Sequence, residues 1–159
     1  MSLQSIAVVG GGMFGVTAAI ALRERGYAVD LFDPGPLPHP DAASTDISKV
    51  VRIEYGADEA QTELAETAQD GWRQWNVEWR ETLFHETGIL ALTRKPFAPG
   101  GYEHESFQML VKQGHRPERL RPDQVGARFP AWRTADYTDA FYHAKGGYAE
   151  SGRVVARLV

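Results

Sequence analysis

Near the N-terminus, Ile6-Ala7-Val8-Val9-Gly10-Gly11-Gly12-Met13-Phe14-Gly15 passes from a β-branched run into glycines, then into residues 16–25, rich in Ala and Leu and stopped by Gly26. The order predicts strand, tight turn, helix and helix stop. Residues 27–32 read as a second apolar strand ending on Asp33, and Pro34, Gly35, Pro36, Pro38 and Pro40 exclude regular structure after it. Residues 3–33 therefore predict most of a βαβ unit.

Gly10, Gly12 and Gly15, with Met13 and Phe14 between the last two, fit G-x-G-x-x-G. Spacing alone is weak. Placed between a strand and a helix, with an acid closing the next strand, it is the fingerprint of a dinucleotide site. Gly10 allows the sharp exit from the strand, Gly12 lets a pyrophosphate approach the backbone, and Gly15 lets helix and strand pack closely. The free amides and positive dipole end of the helix meet the phosphates, and Asp33 accepts hydrogen bonds from ribose hydroxyls.

Nicotinamide and flavin dinucleotides share this fingerprint. An NAD(P)-dependent reductase usually continues with another helix and parallel strand at short spacing. Here the proline-rich loop leads instead into Ala43-Ser44-Thr45-Asp46-Ile47-Ser48-Lys49-Val50-Val51-Arg52-Ile53-Glu54-Tyr55-Gly56. If that piece is helical, Lys49 and Arg52 share a side; the same spacing also describes a solvated helix with surface charges.

Composition narrows the rest. The 159 residues are 43% hydrophobic and 24% charged, the balance of a soluble globular domain. Seventeen basic against 21 acidic side chains give a net charge of -4, without the cationic surplus that phosphate backbones demand, so no nucleic-acid partner is expected. With no cysteine, thiolate metal sites and cysteine nucleophiles are excluded, and redox chemistry has to come from a bound cofactor. Residues 1–22 carry no charge, but Gly10 to Gly12 interrupt the apolar run and no basic residue precedes it, so neither a leader nor a membrane span is expected. The default location is the cytoplasm.

Further along, Leu64, Ala68, Trp72, Trp75 and Trp79 recur at spacings of three and four, predicting a long helix whose apolar face packs inward. Strands are expected at 88–93 and 140–143, helices at 102–113 and 122–129, and helical turns from Arg153 onward. His85-Glu86 and His104-Glu105 lack the second histidine of a zinc helix, and no metal is expected. His39 and His115 read as loop residues. Tyr142 and His143 are candidates for the border of a substrate cavity.

The sequence resembles the FAD-dependent amine and amino-acid oxidases of the D-amino-acid oxidase superfamily, the group of sarcosine, pipecolate and fructosyl amino acid oxidases. The resemblance rests on Val9-Gly10-Gly11-Gly12 with Asp33, on Ser44 to Arg52 ending in Tyr55-Gly56, on Thr87-Gly88-Ile89-Leu90, on Arg128-Phe129-Pro130 and on Gly147-Tyr148 leading to Arg153-Val154-Val155. It implies an α/β fold: a Rossmann-like FAD-binding βαβ unit with the start of an α+β substrate-binding domain. The implied division is 1–82 in the FAD domain, 83–146 in the substrate domain and 147–159 returning to the first.

By position, the resemblance puts Gly10, Gly12, Met13, Phe14, Gly15, Asp33, Ser44, Thr45 and Lys49 against FAD, with Lys49 beside the isoalloxazine ring. It gives Arg52 the substrate carboxylate. It further implies hydride removal from the carbon next to an amine nitrogen, with molecular oxygen reoxidising the flavin. Relatives are more than twice this length, so residues 1–159 alone are expected to bind flavin weakly and not to turn over. The alternatives are an NAD(P)-dependent reductase and a non-catalytic dinucleotide-binding fragment.

Overall fold

A computed structural model describes residues 4–159. In chain order the elements are β1 (Ser5–Val9), α1 (Met13–Glu24), β2 (Ala28–Phe32), β3 (Lys49–Val51), α2 (Glu59–Trp79), β4 (Phe84–His85) and β5 (Ile89–Thr93). They continue with α3 (Tyr102–Lys112), β6 (Glu118–Leu120), α4 (Pro122–Arg128), β7 (Asp139–His143), β8 (Gly147–Ala149) and α5 (Ser151–Leu158). The chain forms two compact units, Met1–Lys49 with Ala149–Val159, and Val50–Tyr148. The chain passes from the first unit to the second after Lys49 and returns at Ala149.

In the first unit β1 and β2 pair in parallel, from Ser5 beside Ala28 to Val9 beside Phe32. A parallel pair needs a crossover, and α1 supplies it. The helix starts at the glycine turn itself, three residues before the expected Val16, because Gly12 takes an extended conformation (φ −74°, ψ −176°) and serves as its N-cap. α5 packs on α1. Val16 and Ala19 of α1, and Ala149, Val154 and Val155, are buried.

The second unit is built on an antiparallel sheet in the order β5-β7-β6, with Ile89 opposite His143 and Leu120 opposite Ala140. Ile53, Leu110 and Phe141 form one core cluster with Ala65, Ala91, Phe97 and Phe107 against it; Leu120, Val125 and Ala140 form another. The rings of Phe97, Phe107 and Phe141 meet edge to face with centroids 5.7 to 6.4 Å apart, the geometry that aromatic quadrupoles favour. A further sheet runs β3-β8-β4. Its strands have two or three residues, too few for alternation to show in the sequence.

The inward face expected of α2 is corrected. Its buried residues are Thr62 and Gln69, whereas Leu64 is 67% exposed and Trp72, Trp75 and Trp79 are only half-buried. The three indoles cover one another instead, Trp72 edge-on to Trp75 at 5.3 Å and Trp75 stacked on Trp79 at 5.4 Å. Among the described residues no helix is long and apolar enough to cross a membrane.

Candidate functional site

The glycine turn of the first unit is held by contacts the linear pattern does not display. Gly10 has φ +101°, a conformation that L side chains rarely adopt. Its amide donates to the Phe32 carbonyl at 2.7 Å, tying the exit of β1 to the end of β2. A methyl group on Gly15 would lie 1.7 Å from the Gly10 carbonyl oxygen, so helix and strand exit touch there. Gly12 is looser: its methyl would meet only the Ser44 hydroxyl, at 3.1 Å.

Asp33 turns back on the loop. One carboxylate oxygen accepts from the Gly11 amide at 2.7 Å, the other from the Gly35 amide at 3.2 Å. These two amides, Gly11 first, hold its carboxyl below the usual carboxylate range. A lowered pKa in the folded state means that this contribution is present above the unfolded value and lost as pH falls through the folded one. Ordering of the turn is therefore expected to persist at neutral pH and fade below about pH 4. Amide exchange at Gly11, followed from pH 6 to pH 3, checks this: Asp33→Asn should exchange faster at pH 6 and lose the acid dependence.

The helix end and the loop at 44–49 fit a dinucleotide. The first-turn amides of α1 have no acceptors within the helix; Met13 donates to Ser44 Oγ at 3.1 Å, and Phe14 beside it is 92% exposed. Thr45 Oγ1 is buried without a hydrogen-bond partner, an acceptor and donor left for a bound group. Lys49 Nζ lies 2.6 Å from Asp46 Oδ2, and it is the main cause of that carboxyl's lowered pKa. The Asp46 carbonyl accepts from the Gly152 amide at 3.1 Å, so α5 anchors this loop.

Lys49 belongs to the first unit and Arg52 to the second. The piece that carries them is extended, with β3 at Lys49–Val51, so the helical condition for their sharing a side is not met.

Arg52 Nη1 donates to the Glu54 carbonyl oxygen and, at 2.5 Å, to the Tyr102 hydroxyl, which itself donates to the same carbonyl. The guanidinium lies over the Tyr55 ring, 4.8 Å from its centroid. Glu54 is 2% exposed, and its carboxylate accepts from the Ile53 amide and meets His143 Nδ1 at 2.9 Å. His143 is thus buried against an acid, and Tyr142 donates to the Thr87 carbonyl under the guanidinium of Arg128. His115 follows α3 as a loop residue, but its ring is inside, 5.1 Å from that of His143, with Nε2 at 2.9 Å from Glu66 Oε1 though not aligned as a hydrogen bond. Burial, the largest cause, holds His115 below the usual imidazole value. Glu54 and Tyr102 were not expected from the sequence, since no local pattern couples residues about fifty positions apart.

A parallel βαβ with a glycine turn, an acid at the end of its second strand and a helix end open to phosphates defines a dinucleotide-binding protein. The chain belongs to the family described as FAD dependent oxidoreductase (DAO), which it matches over residues 5–159. That match assigns FAD as the cofactor over the nicotinamide alternative.

Over 147 residues the chain is 31% identical to monomeric sarcosine oxidase of Bacillus sp. (strain NS-129), covering 89% of this chain and 36% of that protein. It is 28% identical over 118 residues to the tRNA 5-methylaminomethyl-2-thiouridine biosynthesis bifunctional protein MnmC of Marinobacter nauticus (strain ATCC 700491 / DSM 11845 / VT8), covering 72% of this chain and 17% of that protein. The chain therefore spans about a third of the sarcosine oxidase and less of the bifunctional protein.

Among solved structures, L-proline dehydrogenase from P. horikoshii superposes with a TM-score of 0.81 at 20% identity, over 99% of this chain and 41% of that one. A modified fructosyl peptide oxidase from Aspergillus nidulans gives 0.79 at 20%, over 99% and 38%. At that identity the likeness is one of fold.

Proposed function

We propose that the protein oxidises a carbon–nitrogen bond of a small amine or amino acid that bears a carboxylate, with molecular oxygen as electron acceptor and the cytoplasm as its location. Arg52 carries this reading: its guanidinium is half-buried and held at Nη1 alone, and among the described residues Nε and Nη2 have no hydrogen-bond partner. An open Nε–Nη2 edge matches a carboxylate with two parallel hydrogen bonds, each worth about 1.5 to 3 kcal/mol when charged. In the longer protein the first unit would belong to the FAD-binding domain and the second would contribute to substrate binding.

FAD, when bound, supplies the two-electron acceptor for the carbon beside the nitrogen. Gly12 and the Phe14 amide would receive the pyrophosphate, where a backbone without a side chain permits close approach, while Gly10, Gly15 and Met13, whose amide is held by Ser44 Oγ, would shape the turn around it. Asp33 would reach ribose hydroxyls with lone pairs not used by Gly11 and Gly35. Ser44 and Thr45 would offer hydroxyls, the latter resolving its buried orphan. Lys49 would place a cation by the ring, an electrostatic contribution that grows as water is excluded. Arg52 would bind and orient the substrate and take no part in proton transfer.

The test separates the two cations in the flavin-loaded full-length protein. Lys49→Met is expected to slow flavin reduction or reoxidation with little change in substrate binding. Arg52→Met should raise KM for carboxylated amines by about ten- to a hundred-fold, the loss of one or two charge-assisted hydrogen bonds. Stopped-flow traces with N-methylglycine and proline that are unchanged by Arg52→Met would remove the carboxylate from the proposal. Peroxide formation under air, compared with a dye acceptor under nitrogen, tests oxygen.

A further inference from the structure

The groups around Arg52 do more than leave an edge free; they select which edge. A guanidinium has five N–H donors in a planar fork. Nη1 is the one engaged, meeting the Glu54 carbonyl and the Tyr102 hydroxyl together. The Tyr102 hydroxyl closes the triangle by donating to the same carbonyl at 2.5 Å.

The carbonyl is itself fixed from below. The Glu54 side chain is gripped in the core by His143 Nδ1 at 2.9 Å and by the Ile53 amide at 3.1 Å. One turn along α3 from Tyr102, Ser106 Oγ accepts from the Gly56 amide at 2.8 Å. Residues 102 and 106, four apart, lie on one helix face, so α3 grips the 52–56 segment at two points. Gly56 has φ +64°, and a methyl group there would stand 3.2 Å from the Tyr102 ring, so the glycine also seats the tyrosine.

We propose that Tyr102 is the positioning residue of Arg52: by occupying Nη1 it directs the Nε–Nη2 edge toward the ligand, and so matches the site to a single planar carboxylate. The proposal rests on the carboxylate reading given above. It adds a residue that does not touch the ligand through its own charge and acts only through the arginine. Its hydroxyl is the operative atom, because the ring seated on Gly56 is kept by phenylalanine.

Acetate and acetamide, alike in size and different in charge, probe the fork in the flavin-loaded full-length protein, with the flavin absorbance change on titration as readout. Tyr102→Phe is expected to weaken acetate about ten-fold, the size of one charge-assisted hydrogen bond lost or misdirected, and to leave acetamide and thermal stability unchanged. In an Arg52→Met background the same change should have no further effect, because the tyrosine acts through the arginine.

Acetate affinity equal in wild type and Tyr102→Phe, alongside a large loss in Arg52→Met, would overturn the positioning role and leave the carboxylate reading standing. An Arg52→Met variant that binds acetate as wild type does, or a wild type that does not prefer acetate to acetamide, would overturn the carboxylate reading itself. A further loss from Tyr102→Phe on top of Arg52→Met would show that the tyrosine meets the ligand directly and refute the proposal.

Discussion

Gly15→Ala is expected to cost about 3 kcal/mol or more of stability, at or above the upper end of overpacking penalties, and to abolish flavin retention by the full-length protein. The added methyl would stand 1.7 Å from the Gly10 carbonyl oxygen and 2.9 Å from its carbon. Both are backbone atoms, so no rotamer change removes the clash; α1 has to move away from the exit of β1. Gly12→Ala makes the useful contrast. Its methyl meets only the Ser44 hydroxyl at 3.1 Å, a side chain able to rotate, so stability should change by less than about 1 kcal/mol while flavin binding falls. Urea unfolding together with flavin fluorescence separates the two effects. A Gly15→Ala protein as stable as wild type would falsify the packing argument.

His143→Leu is expected to destabilise the second unit by about 3 to 5 kcal/mol, the usual cost of removing one member of a buried polar or charged pair. Glu54 is 2% exposed, and without His143 its carboxylate Oε1 loses its hydrogen-bond partner in the core. The loss should be smaller in His143→Asn, which keeps a donor near the position of Nδ1. It should also be smaller in the double variant Glu54→Leu with His143→Leu, because an apolar pair leaves nothing unsatisfied. Thermal unfolding of the four proteins gives the comparison, and equal losses in the single and double leucine variants would contradict it.

The parts legible from sequence are those set by neighbours a few residues away. The β-branched run at 6–9, the Ala- and Leu-rich crossover and the run at 27–32 appear as β1, α1 and β2, and the elements read at 88–93, 102–113, 122–129 and 140–143 appear within a residue or two at each end. Each has a local cause: side-chain period, a glycine or proline stop, a turn. The glycine positions were legible for the same reason, since the need for a missing side chain is already visible in the order strand, turn, helix.

What lay beyond local pattern was the choice of partner. Periodicity assigns α2 an apolar face, but burial followed the neighbours that pack on it. Thr62 could go inside because its hydroxyl donates to the Asp58 carbonyl at 2.8 Å, whereas Gln69 is only half satisfied there, its side-chain oxygen accepting from Arg73 and its amide nitrogen buried without a partner. Asp33 reads as a ribose acceptor, yet folding also makes it the clasp of the glycine turn. Arg52 was legible as a cation, whereas its orientation depends on Tyr102 and on the backbone carbonyl of Glu54, whose side chain is held by His143, residues brought beside it by the packing of α3 and β7. Hydrogen bonds across such distances leave no period in the chain, because they are selected by the shape of the folded core and by the requirement that buried polar atoms find partners.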